Sequence, residues 1–190
     1  MIEKFTSEQR EELNSIAMRA FDLHKSVNQW YGDKPYSYHL YMVVNIMDKH
    51  VGELNPTYEL YRILYFASVF HDSIEDARLT YNDVSKIALK YMNLDDATLA
   101  TEIVYALTNE KGRTRKERAN EKYYKGIRDT PYAPFIKTCD RLANMTNAKE
   151  TGNRMFETYQ KEIQQFILDI YHEDTPKSAL DELRSFIPKE

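Results

Sequence analysis

The sequence predicts an all-α fold of about eight to nine helices packed around one central buried helix. Three observations carry this. Apolar residues recur at three- and four-residue spacing through almost the whole chain, and no stretch keeps the strict alternation of a strand. Gly and Pro, five and six in 190 residues, are too few to punctuate a many-turned β fold. The length suits one well-cored domain, and the chain has no repeat, low-complexity tract or long linker. Residues 1–190 are therefore expected to form a single domain, with helices over 153–187 packing on the rest.

The elements follow in order. Leu13, Ile16, Ala17, Ala20, Phe21 and His24 form a helical stripe, preceded by Thr6 and Gln9 at capping-box spacing. Asp33-Lys34-Pro35 breaks the chain, and His39, Val43, Ile46 and Met47 share a face of a second helix that stops near Gly52 and Pro56. The third, from about Thr57, is apolar almost all round (Leu60, Leu64, Ala67, Phe70), so it is the expected central helix, ending at the polar string HDSIED over 71–76. Thr80 and Asp83 open a fourth helix with Val84, Ile87 and Tyr91; Ala100, Ile103, Val104 and Leu107 mark a fifth. Pro131 and Pro134 sit where a helix carrying Phe135, Cys139, Leu142 and Ala143 begins. Phe156, Tyr159, Ile163, Phe166 and Ile170 give a long helix, and Leu180, Leu183 and Phe186 a short one bounded by Pro176 and Pro188.

Composition narrows the function. One cysteine, Cys139, cannot form an intramolecular disulfide, the first residues carry no apolar signal segment, and no apolar run reaches the ~18–20 residues that span a bilayer. A soluble cytoplasmic protein is expected. The net charge of −4 is unevenly spread, because residues 111–128 hold eight Lys and Arg against two Glu in an otherwise acidic chain. A local anionic ligand fits this better than a long nucleic-acid footprint, so nucleic acid is not expected as the main partner.

Four side chains can meet on the core side of different helices: His39, the adjacent His71 and Asp72, and Asp140. Two imidazoles and two carboxylates suit a divalent transition metal such as Mn, Fe, Co or Zn, with room left for water or a substrate oxygen. Taken singly, each has a plainer reading. A histidine on an apolar face is ordinarily a hydrogen-bonded core residue, and Asp140-Arg141 is ordinarily a surface or capping pair. The order of the four raises them above that.

With the strings KPYSYH ending at His39, HDSIED at 71–76, ALTNEKG from Ala106 and IKTCDRLANM from Ile136, the chain resembles the HD phosphohydrolase superfamily. Within it, the chain is most similar to the hydrolase domain of RelA/SpoT-type alarmone enzymes and their small stand-alone relatives, over residues 20–147. The resemblance implies a helical HD-domain fold, with His39, His71, Asp72 and Asp140 holding one Mn²⁺. Glu75 and Asp76 would be paired acids acting on the attacking water and the leaving group, and a helical turn continued past His71 would point Glu75 inward. Asn144, four residues past Asp140, would contact the nucleotide sugar; the basic segment itself can supply phosphate contacts through Lys111, Arg113, Arg115, Lys116 or Arg118.

Three positions depart from the family pattern. Where alarmone hydrolases carry a basic pair whose Arg stacks on guanine, this chain has Trp30 and Tyr31, which are expected to bind substrate by stacking an aromatic ring on the base. Leu40 replaces the proline that commonly follows the first histidine. The expected function is metal-dependent hydrolysis of a phosphorylated nucleotide, most like ppGpp 3′-pyrophosphohydrolase. The alternatives are an HD phosphohydrolase acting on a different nucleotide (a nucleotidase, triphosphohydrolase or nucleotide-cofactor phosphatase) and a nucleotide-binding HD protein without turnover.

Overall fold

A computed structural model describes residues 1–188. Ten α-helices are formed among them: α1 (Ser7–Ser26), α2 (Ser37–His50), α3 (Tyr58–Phe70), α4 (Tyr81–Ala88), α5 (Leu94–Leu107), α6 (Arg115–Arg118), α7 (Glu121–Asp129), α8 (Ala133–Glu150), α9 (Met155–Ile170) and α10 (Lys177–Arg184). The anticipated box at Thr6 and the anticipated cap at Thr80 are both made, the second also as a full box. The Thr6 hydroxyl accepts from Gln9 N while Gln9 caps Thr6 N, and Thr80 and Asp83 repeat the arrangement ahead of α4. A third box, Thr114 with Glu117, closes the single turn of α6, which the sequence reading did not assign.

The core is one continuous apolar cluster, and α3 runs through it with nine of its thirteen residues buried. It packs against α1, α2, α5 and α8. The expectation of a central helix after Thr57 is met, but α8 shares that position, burying twelve of eighteen residues. Its sequence looks less apolar because Thr138, Asp140 and Arg141 lie among the buried ones. The Thr138 hydroxyl is satisfied by donating to the Pro134 carbonyl at 2.8 Å.

The segment between α1 and α2 holds the one departure from all-α structure among the described residues. Strands β1 (Trp30–Tyr31) and β2 (Lys34–Pro35) pair antiparallel across Gly32-Asp33, and Gly32 takes the positive φ of 64° that this tight turn needs. Two-residue strands are too short to show a period, so the sequence carries only the break. At the other end, α10 is pinned to the end of α2 and the 3-10 turn after it: Glu53 in that turn accepts from the N–H groups of Lys177 and Ser178 at 2.8 and 3.0 Å, and His50 bridges Ser178 Oγ and Glu182 at 2.7 and 2.5 Å.

Phe66 is fully buried in α3 and stacks on Phe70, the residue before His71, with ring centroids 4.2 Å apart. Phe66→Ala is expected to cost roughly 3–5 kcal/mol in urea denaturation. A loss below ~1 kcal/mol would contradict the central role of α3.

Candidate functional site

Helices α2, α3 and α8 pack on one another, and the four residues singled out as ligands lie where they meet. His39 stands in the first turn of α2, His71 caps the C-terminus of α3 with Asp72 beyond it, and Asp140 is in the middle of α8. His39, His71 and Asp140 are buried, each offering one donor atom within 4.8 Å of the others. The two Nε2 atoms are 3.3 Å apart, and Asp140 Oδ1 lies 3.3 Å from His39 Nε2 and 3.7 Å from His71 Nε2. Asp72 Oδ2 approaches the same pair, 2.8 Å from His71 Nε2 and 3.7 Å from His39 Nε2.

This donor set fits a divalent cation. His71 Nδ1 pairs with the Ser68 carbonyl at 2.8 Å, so whenever the ring is neutral its Nε2 lone pair faces the centre. Lone pairs and carboxylates then face each other in a dry space, an arrangement that only positive charge stabilises. The local electrostatics register the same need. Burial alone would lower the His71 pKa, but the Asp72 and Asp140 carboxylates outweigh it and raise it to about 9. Against burial, Lys137, His39 and His71 hold the Asp140 carboxyl well below its usual range.

The cluster is braced from outside. Lys137, three residues before Asp140 on α8, donates to Asp140 Oδ2 at 2.9 Å, leaving Oδ1 toward the imidazoles. Asn144 Nδ2 donates to Oδ1 at 2.6 Å, while Asn144 Oδ1 accepts from the Tyr31 hydroxyl at 2.9 Å. Tyr31 stacks on the His39 ring with centroids 4.7 Å apart, and His39 Nδ1 has no hydrogen-bond partner, so packing fixes this ring. Tyr31 and Asn144 thus both engage the ligands themselves. Trp30 is 54% exposed with Nε1 on Asn28 Oδ1, and it is not part of the cleft wall.

The two acids are deployed differently from expectation. Regular helix does not continue through Glu75: the chain leaves α3 at His71 and runs in turns to Asp76, with a single helix-type bond from Asp76 N–H to the Asp72 carbonyl at 2.8 Å. Glu75 is exposed and accepts from Asn109 Nδ2 at 2.8 and 3.1 Å, which ties the start of the basic segment to the metal side. Asp76 is partly buried, and burial first, then the Asp72 charge, raises its pKa to about 6.

A cleft of about 580 Å³ opens from Asp140 and Asn144, bordered by Arg115, Lys116, Arg118, Lys137 and Arg141 and by the rings of Tyr123, Tyr124, Tyr159 and Phe166. Five cations face Asp140, Glu162 and Asp169 across it, which suits an anionic ligand. Of the five basic residues named for phosphate, Arg115, Lys116 and Arg118 line this cleft; Lys111 borders a neighbouring hollow of about 570 Å³, and exposed Arg113 borders neither. Arg115 forms a two-pronged pair with Glu162 at 2.6 and 2.8 Å, and Glu162 also receives Arg141 at 3.1 Å. Lys137 was legible as the i−3 neighbour of Asp140, whereas Arg141 and Glu162 meet across 21 residues with no local signal.

Among solved structures, this chain is similar to a metazoan ortholog of SpoT that hydrolyzes ppGpp and plays a role in starvation responses. The superposition has a TM-score of 0.69 and covers 92% of this chain and 93% of that one. The two chains share one fold. Their sequences are 19% identical. No family model matches the chain, and no curated protein matches it significantly. Among the described residues no helix is long and apolar enough to cross a membrane.

His24, on the last turn of α1, is 1% exposed and neither ring nitrogen has a hydrogen-bond partner. Burial lowers its pKa to about 4; the Asp72 charge opposes this, and the His71 and His39 charges reinforce it. Below pH ~6.5 the unfolded chain then takes up a proton that the folded chain refuses until about pH 4, so stability is lost across that window. His24→Phe is expected to remove up to ~1.4 kcal/mol per pH unit from the acid limb of the stability profile, read from urea midpoints. Parallel profiles for the two proteins would contradict it.

Proposed function

We propose that the chain is a metal-dependent phosphohydrolase that acts on a phosphorylated nucleotide, most like a ppGpp 3′-pyrophosphohydrolase. The observation that carries this reading is the convergence of His39, His71, Asp72 and Asp140 in one cluster, whose Asp140 also lines a cation-rich cleft. The likeness in fold to a protein that hydrolyzes ppGpp supports it. The four residues would hold one divalent ion, Mn²⁺ in first place, with Fe²⁺, Co²⁺ and Zn²⁺ compatible with the same donors. Such an ion supplies Lewis acidity, easing deprotonation of water and drawing charge from a phosphoryl oxygen.

The chain's own groups do the rest. Arg115, Lys137 and Arg141 balance the phosphate charge, and the aromatic walls exclude water from the nucleoside. Glu75 and Asp76 are the paired acids, one taking a proton from the attacking water and the other giving one to the leaving oxygen. Water attacks the 3′-linked phosphorus, the bond from that phosphorus to the ribose oxygen breaks, and pyrophosphate leaves. The buried free thiol of Cys139 fits a reducing, cytoplasmic setting.

A specific observation favours a second reading of the substrate. Trp30 stands at the position of the family's guanine-stacking residue yet does not border the cleft, and Tyr31 is spent on His39 and Asn144. Base recognition in the family's manner therefore lacks its residues, which leaves hydrolysis of a different nucleotide as the alternative.

An assay with Mn²⁺ on ppGpp beside a nucleotide panel separates the two. Pyrophosphate release from ppGpp, reduced at least ~100-fold by Glu75→Gln, is the expected result. Orthophosphate from another nucleotide with ppGpp inert would select the second reading, and no turnover of any nucleotide would overturn both.

A further inference from the structure

Asp72 differs from the other three ligand-type residues in having no helix to hold it. It follows the last residue capped by α3, and its side chain is 22% exposed, so its carboxylate has rotamers to choose from. Tyr36 limits that choice. It precedes the first turn of α2, is 8% exposed, and donates its hydroxyl in a short hydrogen bond to Asp72 Oδ2. That oxygen is the one turned toward His71 and His39.

The Tyr36 ring is fixed on several sides. His24 lies flat against one face, with centroids 4.5 Å apart and planes 17° from parallel. His39 and Tyr31 present edges at 5.5 and 6.2 Å. His24 makes no hydrogen bond through either nitrogen, so it serves here as a flat plate, at the cost of two desolvated polar atoms. A tyrosine held this way can deliver its hydroxyl to a single point, and a hydrogen bond to an ionised carboxylate is among the stronger ones available to a protein.

We propose that Tyr36 is a positioning residue of the metal centre, aiming the Asp72 carboxylate at the paired imidazoles, and that His24 holds the Tyr36 ring in place. The proposal rests on the reading of His39, His71, Asp72 and Asp140 as metal ligands. Groups that orient ligands from outside commonly carry 10–100-fold in metal affinity. Tyr36 and His24 touch no reacting atom, so metal affinity, rather than turnover, is the quantity to read.

The test titrates Mn²⁺ calorimetrically into the chelator-treated full chain. Wild type is expected to bind one equivalent. Tyr36→Phe is expected to bind it ~10–100-fold more weakly while the metal-free protein keeps its helical circular dichroism and cooperative melt. His24→Phe, which preserves the plate, is expected to stay within about twofold of wild type, and His24→Ala, which removes it, to weaken binding in the same direction as Tyr36→Phe. A Tyr36→Phe protein that binds as wild type does would overturn the proposal and leave the metal reading standing. Should Tyr36→Phe not fold, undiminished affinity in His24→Ala would overturn the part assigned to His24. A wild type that takes up no stoichiometric Mn²⁺ would overturn the metal reading and this proposal together.

Discussion

Two carboxylates and two imidazoles, from two helices and the chain at and just past the end of a third, converge in a space that water scarcely reaches, and the rest of the molecule is arranged around the charge this creates. Buried carboxylates so close together repel each other and lose their hydration, a cost recovered only through cations and aligned donors. Lys137 supplies one cation at the outer oxygen of Asp140, and Asn144 supplies a donor at the inner one. The imidazole nitrogens face the centre and add no fixed positive charge while neutral. The remaining deficit is the physical reason for reading the cluster as a metal site, and it explains why the His71 pKa is raised to about 9 where burial alone would lower it.

The fold answers the demand for precision. The stacked pair Phe66 and Phe70 anchors the end of α3 in the core, so His71 emerges from a rigid element. Asp140 sits deep in α8, flanked by residues that are themselves buried, and His39 is clamped by the face of Tyr31. Only Asp72 and the two acids after it lie past the helix end: Asp72 is tethered from outside by Tyr36 and Glu75 by Asn109, while Asp76 is held locally, its backbone N–H on the Asp72 carbonyl at 2.8 Å. The basic wall of the cleft is joined to α9 through Glu162, which already gathers Arg115 and Arg141. Guanidinium groups gathered in this way are pre-set for an anion, since little ordering remains to be done when one arrives.

Much of this was legible in the sequence, for identifiable reasons. Helical periodicity and the capping pairs at Thr6 and Thr80 are local signals, and the structure keeps them. The central place of α3 followed from a segment apolar on every face, whereas α8 hid an equally buried position behind Thr138, Asp140 and Arg141. The ligand-type residues were legible from their order along the chain, each on or at the end of an apolar-periodic helix, and from the family strings that contain them. What the sequence could not convey was long-range and geometric. Nothing local says that Tyr31 would turn its ring onto His39, that Glu162 would reach Arg115 across 47 residues, or that the chain would abandon the helix at His71. The hairpin at Trp30–Pro35 is shorter than any period can register, and it is what carries Trp30 out to solvent.

The central claim is that the histidine–aspartate cluster exists to hold a divalent ion, and anomalous diffraction from crystals grown with Mn²⁺ tests it most directly. A single strong peak bounded by His39 Nε2, His71 Nε2, Asp140 Oδ1 and the Asp72 carboxylate is the predicted result. A well-ordered cluster with no anomalous density between those atoms at saturating Mn²⁺ would contradict it.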